Sequence, residues 1–199
     1  MSGTFPSIPA LAGLKIVSST PTFVSTAHSL KRQVRSRGGH RWLLEGEYPA
    51  MTRDEFAPVY AFAVAQRGRY ETFTFVLPGL AAPRGSIPGT PVVDGADQTG
   101  RSIDTKGWTA SQSGILKAGD FIKFNGSAKV YMVTADADSD GSGNATLSIE
   151  PALVTSPGDE EALVVEDVPF TCAFASDIAE TSVSPPLLFS FQISMVEVP

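Results

Sequence analysis

Few residues in this chain carry reactive side chains. His28 and His40 are the only histidines and Cys172 is the only cysteine. A Ser–His–Asp or Cys–His site needs one of those imidazoles beside a nucleophile, yet neither stands in a context such as G-x-S-x-G. Both read as hairpin or loop histidines. Cys172 lies in the apolar stretch Phe170-Thr171-Cys172-Ala173-Phe174 and reads as a small packed hydrophobe. A single cysteine forms neither an internal disulfide nor a zinc site by itself. Asp136, Asp138, Asp140 and Gly141 match the opening of a calcium loop, in which alternate carboxylates converge on a hard cation and Gly allows the sharp turn. The match then stops, because the twelfth position is Leu147 rather than Glu and the flanks are strand-like. Asp159-Glu160-Glu161 is an acidic turn, whereas glycoside hydrolysis needs two carboxylates held across a cleft. The glycine-rich pieces match neither G-x-x-x-x-G-K-[ST] nor G-x-G-x-x-G where a strand meets a helix. Trp42, Trp108 and Tyr131 are candidates for a sugar-stacking platform, with core packing as the simpler account. These residues give no catalytic constellation and no cofactor site.

Charge is distributed more informatively. The net charge is −6, but residues 1–85 hold ten Lys/Arg against five Asp/Glu while residues 86–199 hold five against sixteen. Lys31, Arg32, Arg35, Arg37 and Arg41 crowd one short stretch. Such a run suits a nucleic-acid face, but alternation along strands sends its members to both sides. A solvated hairpin, or a contact between basic and acidic surfaces of subunits, accounts for it better. With Arg67 and Arg69 these five are the candidate assembly residues.

Composition then fixes the elements that carry them. Of 199 residues 42% are apolar and only 18% charged, which excludes a disordered chain. Twelve Phe, 18 Gly and 15 Pro favour many short strands separated by turns. The longest apolar run, residues 59–65, is far short of the ~20 residues that span a bilayer. Residues 1–9 lack the basic start and apolar core of a signal peptide, so synthesis in the cytoplasm and no membrane partner are expected.

Along the chain, residues 1–9 read as a loose arm and residues 14–24 as a strand interrupted at Pro21. Residues 30–37 and 40–48 read as the two strands of a hairpin closed by Gly38-Gly39. On the second of them Trp42, Leu44, Gly46 and Tyr48 share one face. Thr52-Arg53-Asp54-Glu55 matches a capping box and opens the one helix, about 52–67, with Phe56, Val59, Tyr60 and Ala63 at helical spacing and Gly68 as its stop. Pro58 is a departure that should bend or delay its start. A strand over 70–77 places Glu71, Phe73, Phe75 and Leu77 together. Residues 78–91 are a turn-rich crossing. Beyond it, short strands set close by turns, with Leu116-Lys117-Ala118-Gly119-Asp120 leading into Phe121-Ile122-Lys123-Phe124, make a small barrel of SH3 or OB type. Residues 157–161 are an acidic exit. Residues 170–174 and 187–198 are strands, the last alternating Phe189, Phe191, Ile193 and Met195 against Ser190, Gln192 and Ser194. The expected division is a first domain of 1–85 plus 166–199, with 86–165 inserted.

Gly46-Glu47-Tyr48-Pro49, the helix segment 52–62, Gln66-Arg67-Gly68 and the aromatic strand ending in Pro78 resemble the N-terminal part of phage distal and minor tail proteins. More specific are Pro88-Gly89-Thr90-Pro91-Val92-Val93-Asp94-Gly95-Ala96, Gly107-Trp108 and Leu116-Lys117-Ala118-Gly119-Asp120. Lys129-Val130-Tyr131-Met132-Val133, Asp140-Gly141-Ser142-Gly143 and Ile149-Glu150-Pro151-Ala152-Leu153 resemble the same proteins of long-tailed phages. The resemblance implies a mainly β split barrel or sandwich with one flanking helix and an inserted small barrel. It also implies a non-enzymatic virion tail protein, assembled in the host cytoplasm as a ring of six copies. The implied neighbours are the tail tube protein and the tail-tip or baseplate hub protein, with DNA passing through the lumen unread. A carbohydrate-binding tail-tip module, or another tube-end protein, is the alternative.

Overall fold

Period-two alternation of buried and exposed residues generates almost every element of the computed structural model, which describes residues 3–185 and 187–199. Met1 and Ser2, the start of the expected N-terminal arm, lie outside the described residues, as does Pro186. In chain order the elements begin with β1 (Gly13–Ser19), β2 (Thr22–Thr26), β3 (Arg32–Ser36), β4 (Arg41–Glu47), the helix α1 (Arg53–Ala65) and β5 (Phe73–Val76). Then come β6 (Gly89–Val93), β7 (Ser102–Trp108), β8 (Phe121–Phe124), β9 (Val130–Val133), β10 (Ala145–Glu150) and β11 (Leu163–Val164). The chain ends with β12 (Pro169–Phe174), β13 (Thr181–Ser184) and β14 (Leu188–Glu197). The protein is thus mainly β, with a single helix among the described residues, as its composition and turn spacing predict. No described helix is long and apolar enough to cross a membrane.

The described chain forms two units, one of Pro6–Phe73 with Cys172–Val198 and one of Gly3–Phe5 with Thr74–Thr171. One sheet has the order β1-β4-β14-β12-β5, with β13 also on β14. In the first unit Trp42 and Leu44 on β4, Tyr48 just after it, and Phe191, Ile193 and Met195 on β14 are buried, so the faces read from alternation are the faces that pack. The Glu55 carboxylate accepts the Thr52 backbone N–H at 2.9 Å and its hydroxyl at 2.8 Å, and these bonds hold its pKa below the ordinary value. From the helix Phe56 stacks on Phe189 at 4.6 Å and Phe62 meets the edge of Phe73 at 5.5 Å. Pro58 sits within the helix, which runs on through it to Ala65.

The expected hairpin of residues 30–48 is corrected. β3 pairs with β2, from Thr26–Arg32 to Thr22–Ser36, and β4 pairs with β1, from Ser19–Arg41 to Gly13–Glu47. Residues 13–47 are therefore one long antiparallel ribbon, broken in the middle. Thr20-Pro21 interrupts one side and Gly38-Gly39, at φ of 70° and 73°, the other. The two glycines do supply positive φ, but at a joint in the ribbon and not at its tip. Burial explains the difference: β4 offers an apolar face to β14, whereas every residue of β2 and β3 is exposed. The loose-arm expectation also needs correction. Within the second unit Phe5 N donates to Thr74 O at 2.8 Å and Thr74 N to Gly3 O at 2.9 Å. Phe5 is buried edge-on against Phe75, so apolar burial pins this segment.

In the second unit the strand order is β11-β8-β9-β10-β7-β6. Its two ends meet: Val92 bridges Ala162, Val93 N donates to Glu161 O at 2.9 Å, and Glu160 N donates to Val93 O at 3.1 Å. The sheet is a nearly closed small barrel, filled by Ile103, Trp108, Phe124, Tyr131, Leu147 and Ile149 among others. Leu116-Lys117-Ala118-Gly119-Asp120 closes the turn before β8. Asp120, 4% exposed, accepts the Lys117 amide at 2.8 Å and also the amides of Arg84 and Gly85, at 2.7 and 3.1 Å.

Candidate assembly surface

The basic residues lie on the outer half of the broken ribbon. Five residues at ~3.4 Å each carry β2 and β3 about 17 Å beyond the joint. Lys31 is in the connecting turn, where Ala27 N donates to Lys31 O at 3.0 Å and Leu30 N to Ala27 O at 2.9 Å. Arg32 and Arg35 are on β3, and the Arg37 guanidinium lies 4.6 Å from the centre of the Phe23 ring. Residues 20–40 contain four Lys/Arg and no Asp/Glu. Alternation sends Arg32 and Arg35 to opposite faces, and both faces are exposed. The ribbon also exposes Phe23 (59%), Val34 (52%) and Leu30 (85%). A two-stranded ribbon with apolar side chains in water and two unpaired edges is marginal by itself and suits a contact surface. Arg41 begins β4 on the inner side of the joint. Arg67 and Arg69 follow α1, where the Arg69 backbone N–H and guanidinium both meet Asp177, at 3.3 and 3.7 Å. The seven candidates are therefore all exposed residues of the first unit, five on the ribbon and two at the end of the helix.

Beside the helix end the first unit has a cleft of about 910 Å³, between α1, residues 176–182 and β14. Glu47, Asp177 and Glu180 line it together with Arg67. Tyr48 forms part of its wall, is 3% exposed, and its hydroxyl has no hydrogen-bond partner among the described residues. Burial pushes its pKa up to about 12, so at neutral pH it is a proton donor. The sequence places Tyr48 on the buried face of β4. A buried tyrosine hydroxyl ordinarily finds a partner, and that rule was the available signal for this position.

The other candidates have structural work. Asp136 accepts the Ala118 amide at 2.9 Å and Asp138 the Gly114 amide at 2.6 Å. Asp140 accepts the amides of Ser142 and Asn144, both at 2.8 Å. The three carboxylates thus tie down three different backbone segments, and no metal-holding group of His, Cys, Asp or Glu occurs among the described residues. Asp159 accepts the Gly95 amide at 2.8 Å and Glu161 the amides of Gly126 and Gly158, at 2.7 and 2.9 Å. Lys106 lies 3.4–3.6 Å from Asp94, Asp159 and Glu160.

Backbone amides hold Asp140 and Asp159 below the ordinary carboxylate pKa, the Asn144 amide acting most on the first and the Gly95 amide on the second. A folded-state pKa below the unfolded one stabilises above the unfolded value, and that contribution is lost as pH falls through the folded value. Thermal stability is therefore expected to fall on acidification below about pH 4 and to be insensitive to these groups between pH 5 and 8. A melting series across pH 2.5–8 checks this, and a midpoint already falling near pH 6 would contradict it.

His28 is exposed in the ribbon turn. His40 is buried, its Nε2 2.8 Å from Ser18 Oγ and its ring edge-on to Trp42 at 4.7 Å. This Ser–His contact joins β1 to the residue before β4, and the cleft beside α1 does not include it. Cys172 is fully buried on β12, and burial, with a smaller effect of Glu197, pushes its thiol up to about 12. The sugar-platform idea is corrected: Trp42, Trp108 and Tyr131 are 4%, 5% and 0% exposed. Trp108 Nε1 donates to Thr105 Oγ1 at 2.8 Å, and the Tyr131 hydroxyl accepts the Val154 amide at 3.1 Å. All three rings are core.

Residues 81–168 match a family model described as the B domain of distal tail protein pb9. No curated protein matches the chain.

Proposed function

We propose, from the match of residues 81–168 to the B domain of a phage distal tail protein, that this protein forms a ring joining the tail tube to the tail-tip or baseplate hub. Its role in the virion tail is structural, as its family is. Six copies are the expected number, with the tail tube and hub proteins as neighbours and DNA passing through the lumen without sequence-specific contacts. The observation that carries the ring reading is the exposed ribbon, with its four cations, bare apolar residues and unpaired edges. A closed ring needs two different complementary patches on each subunit. The first unit supplies most of that contact in this proposal, and the inserted barrel is dispensable for closing the ring.

Light scattering followed by negative-stain imaging of the same fraction tests this directly. Rings of about six copies are expected. A protein that stays monomeric at every concentration would count against self-assembly. Excising the barrel and still recovering rings would assign closure to the first unit.

A further inference from the structure

The first unit carries nearly balanced charge, nine Lys/Arg against eight Asp/Glu, but in separate places. Four of the cations are on the outer part of the ribbon, residues 20–40, and none of the acids is. The cleft beside α1 has the opposite character, with Glu47, Asp177 and Glu180 against Arg67, and Asp177 is already engaged by Arg69. Its volume of about 910 Å³ exceeds what one side chain fills and lies within the range of ligand-holding clefts, roughly 300–1,000 Å³. The unit therefore has a protruding basic turn with bare apolar side chains, and a recess lined by carboxylates.

We infer that the turn of the ribbon, residues 27–31 with its flanking Arg32 and Arg35, seats in the α1 cleft of a second copy of this chain. Lys31, Arg32 and Arg35 face Glu47 and Glu180 of that copy. Leu30 leaves water on seating. The contact is head-to-tail: each copy gives a ribbon and receives one, which is the interface type that closes a ring. This inference rests on the ring reading above and names the surfaces that would make it.

Cross-linking tests it, because Cys172 is fully buried and leaves installed cysteines as the only accessible ones among the described residues. Lys31→Cys and Glu180→Cys are made separately, mixed, and treated with a short bifunctional maleimide. A covalent dimer is expected from the mixture and from neither variant alone. No mixed dimer in a sample that light scattering shows to be oligomeric would overturn the seat and leave the ring reading standing. No dimer, with a monomer at every concentration, would overturn both. A link within one chain of the double variant would show the cleft to hold its own ribbon and would also overturn the seat. Charge exchange gives a second measure. Glu47→Lys with Glu180→Lys is expected to weaken self-association at least tenfold, with recovery on mixing with Arg32→Glu plus Arg35→Glu.

Discussion

Asp120→Ala is expected to destabilise the second unit by about 3–5 kcal/mol, which is large for a single carboxylate. Its two oxygens accept three amides, from Arg84, Gly85 and Lys117. A hydrogen bond to a charged group contributes ~1.5–3 kcal/mol, and amides left without an acceptor add their desolvation cost. The three bonds act as one group, so they do not sum fully. No neighbour can substitute, because Gly85 is pressed against the Ile115 carbonyl: a Cβ there would lie 2.2 Å from that oxygen. Asp120→Asn keeps one acceptor, an amide oxygen, in place of two and should cost less than Ala. Urea unfolding followed by Trp108 fluorescence in a Trp42→Phe background isolates this unit. A loss below about 1 kcal/mol would mean that water takes over the three amides.

Gly143→Ala is the second large effect, at about 2–5 kcal/mol. Gly143 has φ of 79°, and a Cβ built on it lies 2.3 Å from the Trp108 carbonyl oxygen. A left-handed backbone costs an L residue ~1–2 kcal/mol, and overpacking against atoms that cannot rotate away adds ~1–3 kcal/mol. The clash also opposes the contact between the end of β7 and the loop before β10, where Trp108 N donates to Gly143 O at 3.1 Å. Gly141→Ala, two residues earlier, meets nothing within 4 Å and lacks a positive φ. It should be near neutral. A comparable loss in both variants would show that the loop tolerates no side chain for some other reason.

Local pattern made much of this fold legible. The alternation of Trp42, Leu44, Gly46 and Tyr48, the capping residues Thr52 and Glu55, and the Phe191–Ile193–Met195 series each depend on neighbours a few residues away. The structure places them as those patterns require. Pairing was harder to read. Gly38-Gly39 suits a hairpin tip as well as a joint, and only the burial of β4 against β14, over a hundred residues later, decides between them. Phe5 was misread for the same reason, since its partner Phe75 is remote in sequence. The basic residues could be grouped from adjacency, but the cleft could not be seen at all. Its walls come from β4, α1, residues 176–182 and β14, and no periodicity connects them. Tyr48 was placed correctly on a buried face without any sign that its hydroxyl would lack an acceptor.

The broken ribbon has a mechanical meaning. Thr20-Pro21 and Gly38-Gly39 interrupt both sides at the same level, so the outer strands form a limb on a shoulder held by the β1–β4 ladder. A rotation of about 10° at that shoulder moves a tip some 17 Å away by roughly 3 Å, with no change in the ladder itself. In the proposed ring such a limb would tolerate imperfect spacing between neighbouring copies, as a rigid face would not.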